Sequence, residues 1–198
     1  MVGEENIMVI LSSPSGVGKT TISKKIQQKY HSFKISVSLT TRPPRSNEID
    51  GVDYHFVSNK KFEELIKDKK FYEYAKIFEN YYGTLKNDVD EIIKKNDLLF
   101  DIDWQGTKQL SKFKNLKLIK IYLITSDKNE LKNRLIKRNQ NSYEEIERRF
   151  NAFDEDIKHW NDYDYIIINK NLEVCFKQIE NIINMNKQKI SISSLSTQ

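Results

Sequence analysis

The chain of 198 residues holds one cysteine, three prolines, six glycines and three histidines. A single thiol, Cys175, cannot close an intramolecular disulfide, so a disulfide-stapled secreted scaffold is excluded and a reducing, cytoplasmic setting is expected. His31, His55 and His159 are too widely separated to form a zinc-ligand pattern. Long hydrophobic runs are also missing. Ile7 to Leu11 and Tyr165 to Ile168 fall far short of the roughly 20 residues that span a bilayer, and no charged-then-apolar leader opens the sequence. With 38% hydrophobic and 31% charged residues, what remains is the composition of a globular protein large enough to bury a core. The formal charge of +5 is spread over interspersed acids and bases. That balance suits a protein whose partners carry phosphates, and neither nucleic acid nor membrane is expected as a partner.

The order of elements follows from periodicity. Ile7 to Leu11 is an apolar run too short for a helix and reads as a buried strand, followed by a glycine-containing loop and a helix to about Tyr30. Ile35 to Thr41 reads as a second strand, stopped at Pro43 and Pro44. Asp53 to Ser58 alternates as a strand, Asn59 to Lys67 as a helix, and Tyr72 to Tyr82 as a hairpin turning near Glu79 and Asn80. From Gly83 the rhythm is helix (Asn87 to Lys95), strand (Leu98 to Ile102), helix (Gly106 to Lys112) and strand (Leu118 to Ile124). Helices at Asp127 to Arg138 and Tyr143 to His159, a strand at Tyr165 to Ile168 and a helix from Leu172 to about Asn186 complete it. Strands alternating with helices predict an α/β fold, a parallel sheet wrapped by helices. Several β segments in a row between Ser36 and Tyr82 break the alternation and predict an inserted subdomain. The serine-rich residues 191–198 are expected to form a flexible tail.

Chemistry is densest in the first loop. Ser13 to Thr20 fits G-x-x-x-x-G-K-[ST] at every fixed position but the first, where Ser13 replaces glycine. Such a P-loop lies between a strand and a helix. Gly16 and Gly18 let backbone N–H groups curl around phosphate oxygens, Lys19 supplies positive charge, and Thr20 can offer its hydroxyl to Mg²⁺. A side chain at position 13 restricts the loop if a positive φ is required there.

Arg42 and Arg45 flank the proline pair, which holds two guanidinium forks on a stiff, extended segment suited to phosphate oxygens; a solvated basic turn is the alternative. The same insert carries Asp53, Tyr54, Glu73, Tyr81, Tyr82, Gly83 and Thr84, hydroxyl and carboxylate groups fit for a second polar ligand. Leu98 to Asp103 is an apolar strand whose end bears Asp101 and Asp103 on one face, where α/β folds place ligands. Asp101 can orient either Mg²⁺-bound water or Lys19. Trp104 and Cys175 read as packing residues. Arg134 and Arg138, four apart on a helix, face one way, and Arg149 follows on the next helix, which Ser142 and Glu145 would open as a capping box.

Taken in order, SSPSGVGKTT, SLTTRPPR with DGVDYHF, FYEYAKIFENYYG, LLFDIDWQG, and RLIKR with ERRF and INK resemble the guanylate kinase family from Ile7 to Asn186. The resemblance implies Mg²⁺-dependent phosphoryl transfer from ATP to GMP, and to dGMP, giving ADP and GDP. It implies a three-layer P-loop core (1–35, 96–125 and 151–190), a mixed α/β GMP-binding insert (36–95) and a helical lid (126–150), in a monomer. On this pattern the ATP site comprises Ser13, Pro14, Ser15, Gly16, Val17, Gly18, Lys19, Thr20, Thr21, Arg134, Arg138 and Asn169. Arg42, Arg45, Tyr54 and Tyr82 would hold the GMP phosphate; Ser38, Glu73 and Thr84 would read guanine, with Gly83, Asp101 and Asp103 alongside. Lys19, Arg42, Arg134, Arg138 and Arg149 would act in catalysis, and Thr20 would reach the metal. Glu73 suits its role chemically, since guanine presents adjacent N1–H and N2–H₂ donors to an acceptor-only carboxylate. Lys170 stands where an acid is common in the family. A non-catalytic interaction module of the same fold is the alternative, one that usually has a degraded phosphate loop.

Overall fold

In a computed structural model the described residues are 6–125, 127–137 and 143–195. Five parallel strands form the main sheet in the order β2-β7-β1-β8-β9: β1 Met8–Ser12, β2 Phe33–Ile35, β7 Asp97–Asp101, β8 Leu118–Ile124 and β9 Tyr165–Ile168. β1 is central, and its unbroken apolar run has a direct cause. Ile7, Val9 and Leu11 pack into one buried cluster, while Met8 and Ile10 pack into another on the opposite face.

The first cluster is covered by α1 (Lys19–Lys29), α5 (Lys128–Lys137), α6 (Tyr143–Asp156) and α7 (Leu172–Leu195), through residues such as Ile22, Leu131, Ile146 and Ile179. α3 (Lys86–Ile93) and α4 (Trp104–Leu110) cover the second with Val89 and Leu110. The result is three layers. Two of the expected segments also contribute to the core clusters. Val89, Ile92 and Ile93, within the segment assigned to the insert, belong to the second core cluster, and Leu131, Leu135 and Ile146, within the assigned lid, belong to the first.

The insert is a mixed sheet in the order β4-β3-β6-β5, with β3 Leu39–Thr40, β4 His55–Phe56, β5 Phe71–Ile77 and β6 Asn80–Leu85. It carries α2 (Asn59–Lys67), whose Ser58 cap accepts from Lys61 N at 3.2 Å and whose Phe62 is fully buried. Leu39, Phe62 and Phe71 form a third, separate cluster, so this sheet has a core of its own.

Three sequence expectations change. The single strand expected over Ile35 to Thr41 is two, because residues 36–38 carry the chain from the parallel sheet to the mixed one. The helix expected to end at His159 gives way to a 3₁₀ turn at Ile157–Asp162. The helix expected to end near Asn186 runs on to Leu195, so residues 191–195 of the expected tail are helical.

Candidate active site

Because the strands are parallel, the loop after β1 and the acids at the end of β7 emerge at the same sheet edge. A cleft of about 390 Å³ opens there between the core and the mixed sheet. From the core come Ser13, Pro14, Ser15, Gly16, Gly18, Lys19, Thr20, Asp101 and Asp103; from the insert Ser38, Arg42, Arg45, Tyr54, Glu73 and Tyr82; from α6 Arg149 and Asp156. Residues distant in sequence thus share one cavity.

The loop owes its shape to its glycines. Gly16 and Gly18 adopt φ of 88° and 106°, a region that costs an L-residue roughly 1–2 kcal/mol. Ser13 is not among the positive-φ residues, so the serine sits in a conformation open to any side chain. Its hydroxyl donates to Pro14 O at 2.9 Å. Gly18 at the N-cap of α1 has no side chain to cap it, which leaves the first-turn N–H groups suited to an anion. The Lys19 ammonium is held at the cleft floor by an ion pair with Asp101 and by Ile102 O at 3.3 Å. Ser23 Oγ donates to the other Asp101 oxygen at 3.2 Å. Of the two roles open to Asp101, the contact seen is with Lys19.

On the insert side Arg42, Arg45, Tyr54 and Tyr82 form one wall. The Arg42 guanidinium lies 5.5 Å from the Tyr54 ring centroid, and the Tyr54 and Tyr82 rings meet edge-on at 6.0 Å. Sequence reasoning missed the residue that organises them. Glu48 accepts from Arg42 Nη2 at 2.8 Å and from Arg45 N at 2.8 Å, with Arg45 Nη1 at 3.5 Å. Burial works to raise the Glu48 carboxyl, but the hydrogen bonds and charges of the two arginines outweigh it and hold the group below its ordinary range. The available signal was the placement of an acid three residues after Arg45.

Deeper in the cleft, Glu73 is 3% exposed and stands opposite Thr84 in the β5–β6 ladder. Burial pushes its carboxyl up to about 7, opposed by Thr84 and Lys19 and reinforced by Asp103. The Thr84 hydroxyl lies near enough to favour the charge, yet no partner among the described residues meets it in hydrogen-bond geometry. Asp103 is also raised, chiefly by burial, while its Oδ1 caps α4 by accepting from Gly106 N at 2.9 Å. Gly83 does not line the cleft. A Cβ there would come within 2.9 Å of Phe71 and Tyr74, so glycine is set by packing inside the hairpin.

Other expected residues also lie off the cavity surface. Val17 is buried, and its carbonyl accepts from Asn169 Nδ2 at 2.8 Å and Arg134 Nη1 at 3.3 Å. Asn169 and Arg134 thus brace the loop from beneath. Thr21 is exposed on α1, away from the cleft. Arg149 reaches the loop, donating to Ser15 Oγ at 3.1 Å. Arg138 and Ser142 lie outside the described residues. Trp104 stacks on His159 at 3.6 Å with its N–H on Asp156 Oδ1 at 3.2 Å, and it also lines the cleft. Among the described residues no helix is long and apolar enough to cross a membrane.

The family model described as guanylate kinase matches residues 5–186. A guanylate kinase of Clostridioides difficile is 41% identical over 192 residues, covering 96% of this chain and 93% of that protein. One of Paramagnetospirillum magneticum is 40% identical over 183 residues, covering 92% and 86%. The crystal structure of guanylate kinase from Anaplasma phagocytophilum superposes with a TM-score of 0.78 at 29% identity, covering 94% of this chain and 89% of that one. The SH3-kinase fragment of tight junction protein 3 shares the fold alone, with a TM-score of 0.53 at 11% identity over 94% of this chain and 59% of that one. Matched along nearly its whole length in sequence and in three dimensions, the chain belongs to the guanylate kinase family.

Proposed function

We propose that the cleft binds ATP on its P-loop side and GMP on its insert side, and moves the terminal phosphoryl group of ATP to the phosphate of GMP or dGMP. The observation that carries this reading is the shared cavity of Lys19 and the buried carboxyl of Glu73, with Arg42, Arg45, Tyr54 and Tyr82 beside them. A carboxylate satisfies the paired N–H donors of guanine, whereas adenine would leave it buried without them; discrimination of order 10⁴ is physically available from such a mismatch. The four insert side chains supply charge and hydroxyl donors at the scale of one phosphate.

The accepting phosphate is already ionised near neutral pH, so the reaction needs no general base. What the protein supplies is alignment and positive charge. Lys19, oriented by Asp101, and Arg149, poised at Ser15, face the region where phosphates would meet. Arg134 acts through the loop it braces. The donor set fits a nucleotide-borne Mg²⁺. No group of three acids or histidines among the described residues could hold a bare ion, while Thr20 offers a hard oxygen and Mg²⁺ ordinarily keeps waters and substrate phosphates as ligands. When bound, the ion would neutralise phosphate charge.

The test is ADP formation with Mg-ATP and each of GMP, dGMP, AMP, UMP and dTMP, beside an acceptor-free control. Turnover should be confined to guanine nucleotides and should fall by a factor of about 10² or more in folded Lys19→Ala. Comparable turnover with AMP would sink the guanine assignment. A folded wild-type chain with no turnover would favour the interaction-module reading.

A further inference from the structure

Gly106 occupies the third position of α4, a place where alanine would ordinarily be preferred. Its backbone is helical, without the positive φ that would call for glycine, so conformational freedom does not explain it. Space does. A Cβ on Gly106 would press well inside van der Waals contact of Glu73 Oε2, 3.0 Å from its Cδ and 3.3 Å from Ile102 Cδ1.

The surroundings decide which group would yield. α4 cannot readily slide away from β5, because the Gln109 side chain is bonded to the Tyr74 backbone twice, accepting from its N–H at 3.2 Å and donating to its carbonyl at 2.6 Å. Gly106 N is itself fixed to Asp103 Oδ1 at 2.9 Å. The carboxylate is the far end of a flexible side chain and is the softest member of the contact. Any side chain at position 106 therefore moves Glu73 Oε2 and leaves the helix where it is.

We propose that Gly106 is a positioning residue for nucleobase specificity: its missing Cβ is the space in which the Glu73 carboxylate stands to face the donor edge of guanine. This rests on Glu73 being the guanine acceptor, and the test separates the two claims. Gly106→Ala, Glu73→Ala and the double variant are assayed for KM(GMP), KM(ATP) and melting temperature. Gly106→Ala should melt at or above the wild-type temperature and keep KM(ATP) within about twofold, while KM(GMP) rises about tenfold or more. In the Glu73→Ala background, where no carboxylate remains to be displaced, the same substitution should change KM(GMP) by less than about twofold.

Additive effects in the double variant would overturn the proposal, as would a wild-type KM(GMP) in Gly106→Ala when Glu73→Ala is impaired. A Gly106→Ala chain that no longer melts cooperatively would put the cost in the helix and overturn it too. An unchanged KM(GMP) in Glu73→Ala alone would remove the guanine reading and this proposal with it.

Discussion

Burial pushes the Glu73 carboxyl up to about 7 from an ordinary value of 4.5, and that raises a pH dependence whose sign can be worked out. A carboxyl raised in the folded state contributes stability that is complete below the unfolded value and is lost as pH rises through about 7. On the proposed reading guanine needs the ionised acceptor, so GMP binding would release a proton from Glu73 below neutrality. Affinity for GMP should therefore rise about tenfold between pH 6 and pH 8. The GMP phosphate, with a second pKa of about 6, adds about twofold over that range. Isothermal titration of wild type and Glu73→Gln across these pH values separates the two, because only the phosphate contribution survives in the variant; parallel profiles would show that Glu73 does not titrate with binding. At this scale loop spacing pointed to Lys19, and the family resemblance to Arg42, Arg45 and Glu73. The sequence did not expose Asn169 and Arg134 as braces, since the carbonyl they share belongs to Val17, more than 100 residues away from either. Cys175 is buried, which pushes its thiol up to about 11, in keeping with packing.

Among the connecting elements, the segment between β3 and β4 carries Arg42, Arg45 and Tyr54 to the cleft. Its proline pair stiffens the chain, but the two guanidinium groups are brought into register by Glu48, whose carboxylate is only 11% exposed. A largely buried acid holding two forks limits the rotamer freedom that binding would otherwise have to remove. Glu48→Gln keeps the shape and removes the charge. It should raise KM(GMP) about fivefold to tenfold with a smaller change in kcat, in steady-state assays. An unchanged or lower KM(GMP) would mean that Glu48 competes with phosphate instead of positioning the arginines. The hairpin of β5 and β6 carries a second device. Phe78 at its tip has φ of 55°, an uncommon state for a bulky residue, and its ring lies 4.5 Å from the Arg148 guanidinium and 5.8 Å from that of Arg149. Alternation made the hairpin legible in the sequence. The positive φ at its tip was not, because Phe78 is not a residue type that marks the first place of a two-residue turn.

Across the whole molecule, the insert has its own apolar cluster and is docked on the core where β5 meets α4 through the Gln109–Tyr74 bonds, while Lys24 with Asp53 at 3.5 Å and Arg148 with Glu79 at 3.9 Å are further polar links among the described residues. Exposed pairs of this kind contribute roughly 0–1 kcal/mol each, too little to fix the cleft in one width. Two phosphate-bearing ligands between facing positive walls should draw the walls together and exclude water from the reacting centre. Small-angle scattering with GMP and a non-hydrolysable ATP analogue together should give a smaller radius of gyration than the free protein, and equal radii would count against closure. The sequence by itself determined the α/β core, the glycine-bearing loop after β1 and the family. Hydrophobic periodicity and loop spacing are local properties, written within a few residues of one another. Only the tertiary structure decided that Glu48 ties the two arginines, that Asn169 lies under the loop, and that Gly106 makes room for Glu73. Each of those depends on groups brought together by sheet topology and packing, which no single stretch of chain contains.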